Sequence, residues 1–503
     1  RAGVTATASA GGGEGECWRA QVRISAGERV RWRAVRVKVE GEGAADAAFE
    51  AIRSDPGITP GEPLVHGAYE ALRERLSSAA AQRGYLEARF LTRQLRVDPA
   101  EGWADAVLSL DSGPRYRVGD ITVSGGEVGE DLVLRTAGLK PGQPYLGPDL
   151  ATAYRRLRGS GQFASVDIVP RLAPNAARVV PISIRLTSVP KRVWRFGAGF
   201  DTNTGPRVSA GLTRRRINSR GHQFDIEARV ARELTELHAE YRIPGGDPVN
   251  ERWSVDLGLR HESSGDVVSD QVATGVHQLI QPGYAWLPGT LTEQRSLTLL
   301  SEDSSTGDTR QSSLLLMPSI DWVWQPPVPV QDLALSLRAG AKGASTAAVS
   351  DVDFLQFEAG VDGRYPLGAD WTLLGRLDLA TSLVSDFEQL PASQRLFAGG
   401  DNSIRGYGFK KVGPLDSTGA VVGGRHLAVG SVEIERRLTE QWGVAAFVDA
   451  GDAFNDGSVE LLYGYGLGAR WNSPIGKVKL DFAIPSDRSR DDWRLHFSLG
   501  ARF

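Results

Sequence analysis

The spacing of apolar residues changes once along this chain, near Pro190, and the change divides it in two. Upstream, short alternating strands are interleaved with segments of helical spacing, and the pattern occurs twice. One copy opens with Val37-Lys38-Val39-Glu40-Gly41 and the other with Ile121-Thr122-Val123-Ser124-Gly125. Each continues through a Pro-Gly-x-Pro turn, Pro60 to Pro63 or Pro141 to Pro144, which sets the chain's direction before a helix. The helices read Tyr69 to Gln82 and Leu150 to Arg158. Each stops at a glycine, Gly84 or Gly161, with an aromatic close behind. Strands follow at Glu87 to Val97 and Ser165 to Leu172, then closing strands at Ala106 to Leu110 and Ile182 to Leu186. The unit is strand, helices, strand, strand.

From Lys191 onward the helical spacing vanishes. About sixteen segments of roughly ten residues alternate in polarity between turn residues, the per-strand pattern of a membrane barrel. They run from Val193 to Asp201 through to Trp493 to Phe503, with tight turns such as Asn218-Ser219-Arg220-Gly221. The last is the clearest. Trp493, Leu495, Phe497, Leu499, Ala501 and Phe503 make one apolar row, while Arg494, His496, Ser498, Gly500 and Arg502 fall on the opposite face. A β-sandwich has the same period, but sixteen long strands without an interrupting domain usually close on themselves. The expectation is a mainly β chain: a 16-stranded antiparallel transmembrane β-barrel over residues 191–503. It is preceded by α+β domains at 31–113 and 114–190. Residues 1–30 are a linker or the end of a truncated preceding copy, in which Cys17 to Ile24 is the closing strand.

Composition changes this picture little. Among 503 residues, 59 glycines and 12 tryptophans suit a sheet-rich chain with aromatic anchors, and 41% apolar residues argue against disorder. The net charge of −3 argues against nucleic-acid binding. Mean hydropathy is −0.24, which reads as water-soluble, but a barrel passes that test too because every second residue faces lipid. The chain opens on Arg1 and its single methionine is Met317, so a processed or trimmed product is expected. Cys17, the sole cysteine, excludes an internal disulfide and a multi-cysteine zinc site. The seven histidines are scattered without metal-ligand spacing. Gly464-Tyr465-Gly466-Leu467-Gly468 has glycine spacing near that of a dinucleotide loop but sits in an alternating strand without the required helix. No catalytic residues, metal or cofactor are expected.

The candidate chemistry lies in a connection of about forty residues between strands ending near Val384 and beginning near Leu427. Structureless loops of that length usually carry function. A glycine-rich tight turn there puts Arg405 at a tip that can fold into the lumen. A guanidinium in such a place needs carboxylates, and its planar fork suits them. Alternation puts Ser431, Glu433 and Glu435 on one face of the next strand, and Phe447 and Asp449 inside on the strand after it. The residues alone leave open an ordinary surface loop with its arginine in water.

Ala398-Gly399-Gly400-Asp401-Asn402-Ser403-Ile404-Arg405-Gly406-Tyr407 resembles the hallmark of the outer-membrane assembly-factor superfamily that includes BamA, TamA and the two-partner secretion transporters. Phe447-Val448-Asp449-Ala450-Gly451 resembles its second signature, and Glu433 falls where members carry a wall glutamate. The loop form and the segment from Gly205 to His222 are most similar to TamA-type members, outer-membrane subunits of the translocation and assembly module. The two upstream copies resemble POTRA domains, two and a fragment where TamA-type members have three. The resemblance implies a Gram-negative outer-membrane location with POTRA domains in the periplasm, and a lumen loop held by Arg405 to Glu433 and Asp449. It further implies assistance in assembling or secreting client barrels or autotransporters among outer-membrane lipids, with a TamB-like inner-membrane-anchored partner. Glycines crowd the closing seam, Gly197 and Gly199 on one side and Gly500, near the terminal Phe503, on the other, and glycine weakens strands. A lateral gate is expected there. The rivals are a two-partner secretion transporter, a BamA-type factor and, from another class, a passive porin, which explains neither the repeats nor the Arg-Gly-Tyr loop.

Overall fold

The computed structural model describes residues 3–9, 19–25, 28–306, 309–328, 330, 332–457, 459–474, 476–487 and 493–500; Cys17 and Phe503 lie outside them. It divides into an N-terminal unit and a second unit that holds all residues from Val189 onward. At the start, β1 (Gly3–Ser9) and β2 (Arg19–Ser25) form an antiparallel pair. The single closing strand expected from Cys17 to Ile24 is thus one arm of a hairpin-like pair, because Gly3 to Ser9 supplies a partner whose alternation was not recognised.

The duplication follows. The first copy contains β3 (Arg31–Glu40), α1 (Ala47–Ser54), α2 (His66–Gln82), β4 (Arg89–Asp98) and β5 (Trp103–Asp111). The second contains β6 (Arg117–Gly125), α3 (Glu130–Ala137), α4 (Gly147–Gly159), β7 (Phe163–Pro170) and β8 (Val179–Ser188). In each sheet the closing strand is central, parallel to the first strand and antiparallel to the second. That position explains its composition. Ala104, Ala106, Leu108 and Leu110 of β5, like Val180, Ile182, Ile184 and Leu186 of β8, are buried. Phe49 of α1 and Leu72 and Leu76 of α2 join the β5 row in one core. Each such leucine contributes roughly 1.5–3 kcal/mol of transfer free energy.

The two Pro-Gly turns are built alike. Gly61 and Gly142 adopt φ of 91° and 84°, which glycine reaches without strain. Their amides donate to the carbonyls of Trp32 (2.6 Å) and Val118 (2.8 Å). The Arg31 and Arg117 guanidinium groups donate to the carbonyls of those glycines at 2.7 and 2.8 Å. The shorter helices α1 and α3, which the apolar spacing did not resolve by range, precede these turns. Asp46 caps α1 by accepting from the Ala48 amide at 3.0 Å, and its other oxygen accepts from Arg83 Nε (2.9 Å) and the Tyr85 hydroxyl (3.2 Å).

Residues 192–500 close into one antiparallel cylinder of sixteen strands. In order these are β9 (Arg192–Asp201), β10 (Gly205–Arg214), β11 (Gln223–Ala231), β12 (Leu234–Pro244), β13 (Glu251–Ser264) and β14 (Val267–Ile280). Then come β15 (Thr290–Thr306), β16 (Thr309–Gln325), β17 (Ala334–Ala344), β18 (Phe354–Leu367) and β19 (Trp371–Val384). The last five are β20 (His426–Arg437), β21 (Trp442–Phe454), β22 (Leu462–Ser473), β23 (Gly476–Pro485) and β24 (Arg494–Gly500). Each expected segment has its strand. β15 and β16 outrun their expected ends, Glu293 to Ser301 and Ser313 to Trp324, because backbone pairing continues through the polar stretch around Glu302 to Gln311. A ladder beyond the apolar band needs no apolar side chains.

Outward and inward rows separate as the period demands. In β13 Val255, Leu257 and Leu259 are exposed to the surroundings, and Ser254 is buried. Closure satisfies the backbone that lipid cannot. The ring closes between its last strand and its first. β24 and β9 are registered at three pairs, Ser498 with Asp201, Leu499 with Phe200 and Gly500 with Gly199, among the described residues. Other neighbours are registered over six pairs or more, up to the full length of β15 and β16.

The cap on α1 yields a prediction. Burial pushes the Asp46 carboxyl up, but the Ala48 amide, Arg83 and Tyr85 outweigh it and hold its pKa below the ordinary 3.8. A lowered carboxylate stabilises the fold above its unfolded value and loses that contribution as the pH falls through the folded one. Asp46→Ala should therefore cost about 1–2 kcal/mol near neutral pH and progressively less in acid. Amide exchange in α1 measures it; equal protection of variant and parent at pH 7 rules it out.

Candidate functional site in the barrel lumen

The connection between β19 and β20, residues 385–425, does not leave the barrel. It folds into it and is fastened on both sides. On one side Glu302 of β15 accepts from the Ser269 hydroxyl at 2.8 Å and from the Ser393 amide at 3.1 Å. Asp266, in the turn after β13, accepts from Lys411 Nζ (2.7 Å) and the Val421 amide (3.0 Å), and Lys410 pairs with Glu262. The loop's tip reaches β20 to β24, halfway round the ring. Acids on one wall hold the basic return arm, and acids on the other hold the arginine tip.

The tip is a tight turn closed on itself. Ala398 and Val412 exchange backbone bonds at 2.9 and 3.1 Å, and the Gly400 amide donates to the Tyr407 carbonyl at 3.2 Å. Gly399, Gly400 and Gly406 have φ of 95°, 103° and 101°. Gly406 also lies so near the backbone of Ile484 and Pro485 that a Cβ would crowd it. Ile404 and Tyr407 are buried with Ala398, Val412, Val429, Ala453 and Leu462, an apolar plug around the turn. Ser403 receives the Gly399 amide at 3.0 Å on its hydroxyl and gives its carbonyl to Arg376 Nη2 at 3.0 Å.

Arg405 is 6% exposed and uses its whole donor fork. Nε and Nη2 donate to the two oxygens of Asp449 at 2.7 and 2.9 Å; Nη1 donates to Glu433 at 2.6 Å and to Asp481 at 3.1 Å. Its own amide also donates to Asp449, at 3.0 Å. The guanidinium carbon stands 3.4 Å from the centroid of the Phe447 ring. Burial disfavours the charge, but Asp449 and Glu433 more than offset it, so this guanidinium is held protonated more firmly than a free one. The sequence expectation of Glu433 and Asp449 as its holders corresponds to what the structure brings together.

Three members were not foreseen. Asp481 of β23 is a third carboxylate. Arg470 of β22 is a second buried cation, donating to Glu433 at 2.6 Å and to Glu435 at 2.9 Å, and pairing with Asp481. His496 of β24 accepts the Gly406 amide at 2.9 Å. Alternation alone puts all three in the lumen, but their depth relative to Arg405 is set by the strand register, in which Arg470 faces Lys479 and Gly468 faces Asp481. The cluster holds Glu433, Asp449 and Asp481 against Arg405 and Arg470, so loss of one arginine leaves three buried carboxylates sharing one cation.

The glycines of β22 have a reason as well. A Cβ at Gly464 would strike the Arg405 carbonyl oxygen, one at Gly466 the Phe482 carbonyl oxygen and the Phe447 ring, and one at Gly468 the Asp481 carboxylate. Gly464 is the floor on which the tip rests, while Gly466 and Gly468 leave room for β23, the Phe447 ring and the Asp481 carboxylate. Gly451 belongs elsewhere. A Cβ there would meet the Ala428 carbonyl, so it serves the approach of β21 to β20. Of the expected seam residues, Gly199 pairs with Gly500, whereas Gly197 faces Ser209 of β10 and has no registered partner in β24 among the described residues. Phe503 lies outside those residues.

Comparison with known proteins bears on what such a barrel is. The profile of the Omp85 superfamily domain matches residues 202–503, more than half of the chain. The chain belongs to the Omp85 superfamily. It is 22% identical over 457 residues, 85% of its length, to the outer membrane protein assembly factor BamA of Nitratidesulfovibrio vulgaris. The chain spans only 56% of that relative's length. A shorter match, 33% over 116 residues, covers 21% of the chain and 14% of the chloroplastic outer envelope protein 80 of Arabidopsis thaliana. Among solved structures, BamA from Haemophilus ducreyi lacking POTRA domains 1–3 is similar with a TM-score of 0.75, at 16% identity, covering 94% of this chain and all of that one. CdiB from Acinetobacter baumannii is similar at a TM-score of 0.56 and 14% identity, over 95% and 91% of the two chains. This Omp85 protein is therefore an outer-membrane barrel, with the lumen loop lying inside the matched domain.

Removing Arg405 from this site leaves buried acids underpaired, a cost of about 3–5 kcal/mol, reduced wherever lumen water reaches them. Arg405→Ala should free the loop to protease added outside intact cells and lower activity; unchanged protection and activity would refute the clamp. Gly464→Val should release the tip in the same way with every charge retained, measured by the same digestion. A protected loop in that variant would show that the floor does not need glycine.

Proposed function

We propose that this Omp85 protein is a non-catalytic assembly factor that inserts or secretes client β-barrel or autotransporter proteins through a lateral gate between β24 and β9. The observation that carries the proposal is the seam where the first and last strands meet, with Gly199 and Gly500 opposite one another among its described pairs. A sheet edge with unpaired donors and acceptors templates a further strand, and in the bilayer an unmade backbone hydrogen bond is more costly than in water. A client strand pairing with β9 or β24 at an opened seam satisfies those groups on both partners. The driving force is the client's own hydrogen bonding and apolar burial, since the proposal involves no nucleotide, metal or catalytic residue. Gly199 and Gly500 face one another where opening begins, and neither adds side-chain contacts across the seam.

In this reading the two N-terminal copies are POTRA domains in the periplasm. The outer strands β3, β4, β6 and β7 leave edges for strand addition, and Leu91 and Val97 of β4 and Val169 of β7 are exposed apolar residues on them. They receive clients or a partner. The finer form of the proposal is a TamA-like factor working with a TamB-like inner-membrane-anchored protein. It is supported by the Gly399-Gly400-Asp401-x-Ser403-Ile404-Arg405-Gly406-Tyr407 form of the loop. Co-purification from envelopes with identification of the bound chains tests that pairing, and recovery of other assembly partners in its place overturns it.

The gate is tested by locking it. Phe200 and Leu499 are register partners across the seam, so Phe200→Cys with Leu499→Cys, in a Cys17→Ser background, closes it under oxidation. Client insertion should stop when the disulfide forms and return on reduction. A locked protein that inserts clients at the parent rate overturns the lateral gate.

A further inference from the structure

The lumen loop does more than rest against one wall. Asp401, four residues before Arg405, is bonded to both sides of the seam. Its carboxylate accepts from the Thr202 hydroxyl at 3.0 Å, and Thr202 lies in the turn joining β9 to β10. The same carboxylate oxygen is paired with Nδ1 of His496, in β24. The Asp401 amide donates to Asn203 Oδ1 at 3.3 Å, a second tie to the first hairpin. Thr202 in turn is tied to β24 directly: its amide donates to the Phe497 carbonyl at 3.1 Å, and its hydroxyl accepts the Phe497 amide at 3.3 Å. All of this sits beside Ser498 and Asp201, one of the registered pairs of the seam.

The histidine's protonation follows from its partners. A backbone amide can only donate, so Nε2, which receives Gly406 N–H at 2.9 Å, is the unprotonated nitrogen. Nδ1 therefore carries the proton and donates it to Asp401. His496 is 4% exposed, so both bonds are made away from bulk water. One imidazole thus joins the loop at two points, Asp401 and Gly406, that flank Arg405's turn. The ring is positioned by the loop, and β24 is positioned by the ring.

We propose that Asp401, His496 and Thr202 form a latch by which the lumen loop holds the seam shut, so that release of the loop and opening of the gate are one coupled event. The inference rests on the lateral-gate reading and deepens it by naming positioning residues that connect the arginine clamp to the gate. Two states follow. With Arg405 clamped, Asp401 is held where it bridges β24 and the first hairpin, and the seam is reinforced. With the loop displaced, Asp401 leaves both partners at once. His496 and Thr202 then lose the group that joined them, and the seam keeps its registered pairs and the Thr202–Phe497 bonds. A ligand or client that pulls the loop therefore shifts the seam toward open by as much as the latch contributes.

The test reads seam closure without reference to activity. In the Cys17→Ser background with Phe200→Cys and Leu499→Cys, the rate of disulfide formation in native envelopes reports how often the two strands are in register. Asp401→Ala should slow it by about threefold or more, while the loop stays protected from external protease because Arg405 is still clamped. A general loss of structure would expose the loop as well, so the combination separates a latch from a scaffold. His496→Phe should behave like Asp401→Ala. His496→Gln, which keeps a donor and an acceptor, should recover part of the rate. Heat-modifiable gel migration shows whether each barrel is folded. If Asp401→Ala is not, Thr202→Val, which conserves shape and removes one latch hydroxyl, carries the test with the same expected slowing. Cross-linking at the parent rate in a folded latch variant overturns the inference and leaves the gate itself untouched. Normal client insertion by the fully cross-linked parent overturns the gate, whatever the cross-linking rates of the latch variants.

Discussion

A guanidinium enclosed in the lumen of a lipid-embedded cylinder must be surrounded by anions, and that requirement organises the C-terminal three-fifths of this chain. Arg405 is met by Asp449, Glu433 and Asp481 from three different strands, and Arg470 shares two of the three. The carboxylates also need the arginines. Three acids at that depth are tolerable only if cations are supplied, and one cation comes from the wall and one from the loop. The loop is therefore an integral part of the barrel's electrostatics. A loop that belonged to the extracellular surface would take away the cation that Asp449 of β21 holds and leave Glu433 and Asp481 to share Arg470. Glycine at Gly464 completes the arrangement sterically, since the Arg405 carbonyl occupies the space of its missing side chain.

Much of this was legible from residues because the period of two fixes which side of the wall a residue faces. Phe447 and Asp449 flank Val448, which is outward and exposed, so one alternation placed all three correctly. The same logic put Glu433 inside and Val432 out. Pairing around the ring was not legible. Arg470, Asp481 and His496 each point inward by alternation, but whether their depths coincide with Arg405 depends on the stagger between strands, which a single sequence does not reveal. In the N-terminal copies, the Pro-Gly turns and glycine stops marked the longer helices. The short helices α1 and α3 span two turns each, too few for apolar spacing to stand out. The ends of β15 and β16 were cut short for the opposite reason: paired backbone continues where the side chains have become polar.

The seam differs from the rest of the ring in being reinforced by the lumen loop. Around the rest of the ring, long antiparallel ladders satisfy donors and acceptors many times over, and the loop's plug adds apolar burial on the inside. Among the described residues of the seam three pairs are registered, two of those six residues are glycines, and reinforcement comes from polar groups contributed by a loop. Local opening is expected where few buried contacts and few backbone bonds hold an element. Among the described residues β24 is registered with β23 over six pairs and with β9 over three.

An opened seam in water costs little, because water takes up the freed amides and carbonyls. In a bilayer the same opening leaves those groups in hydrocarbon, where each unmet one costs several kcal/mol. A membrane gate of this kind thus stays closed, and a competing strand that offers the same bonds reverses the balance without any fuel. The latch residues act on the smaller term. Three or four polar contacts at about 0.5–1.5 kcal/mol each cannot hold a barrel together, but they decide whether a nearly balanced exchange begins. That is the range in which coupling to a movable loop has an effect: strong enough to bias the seam, weak enough for an arriving strand to overcome.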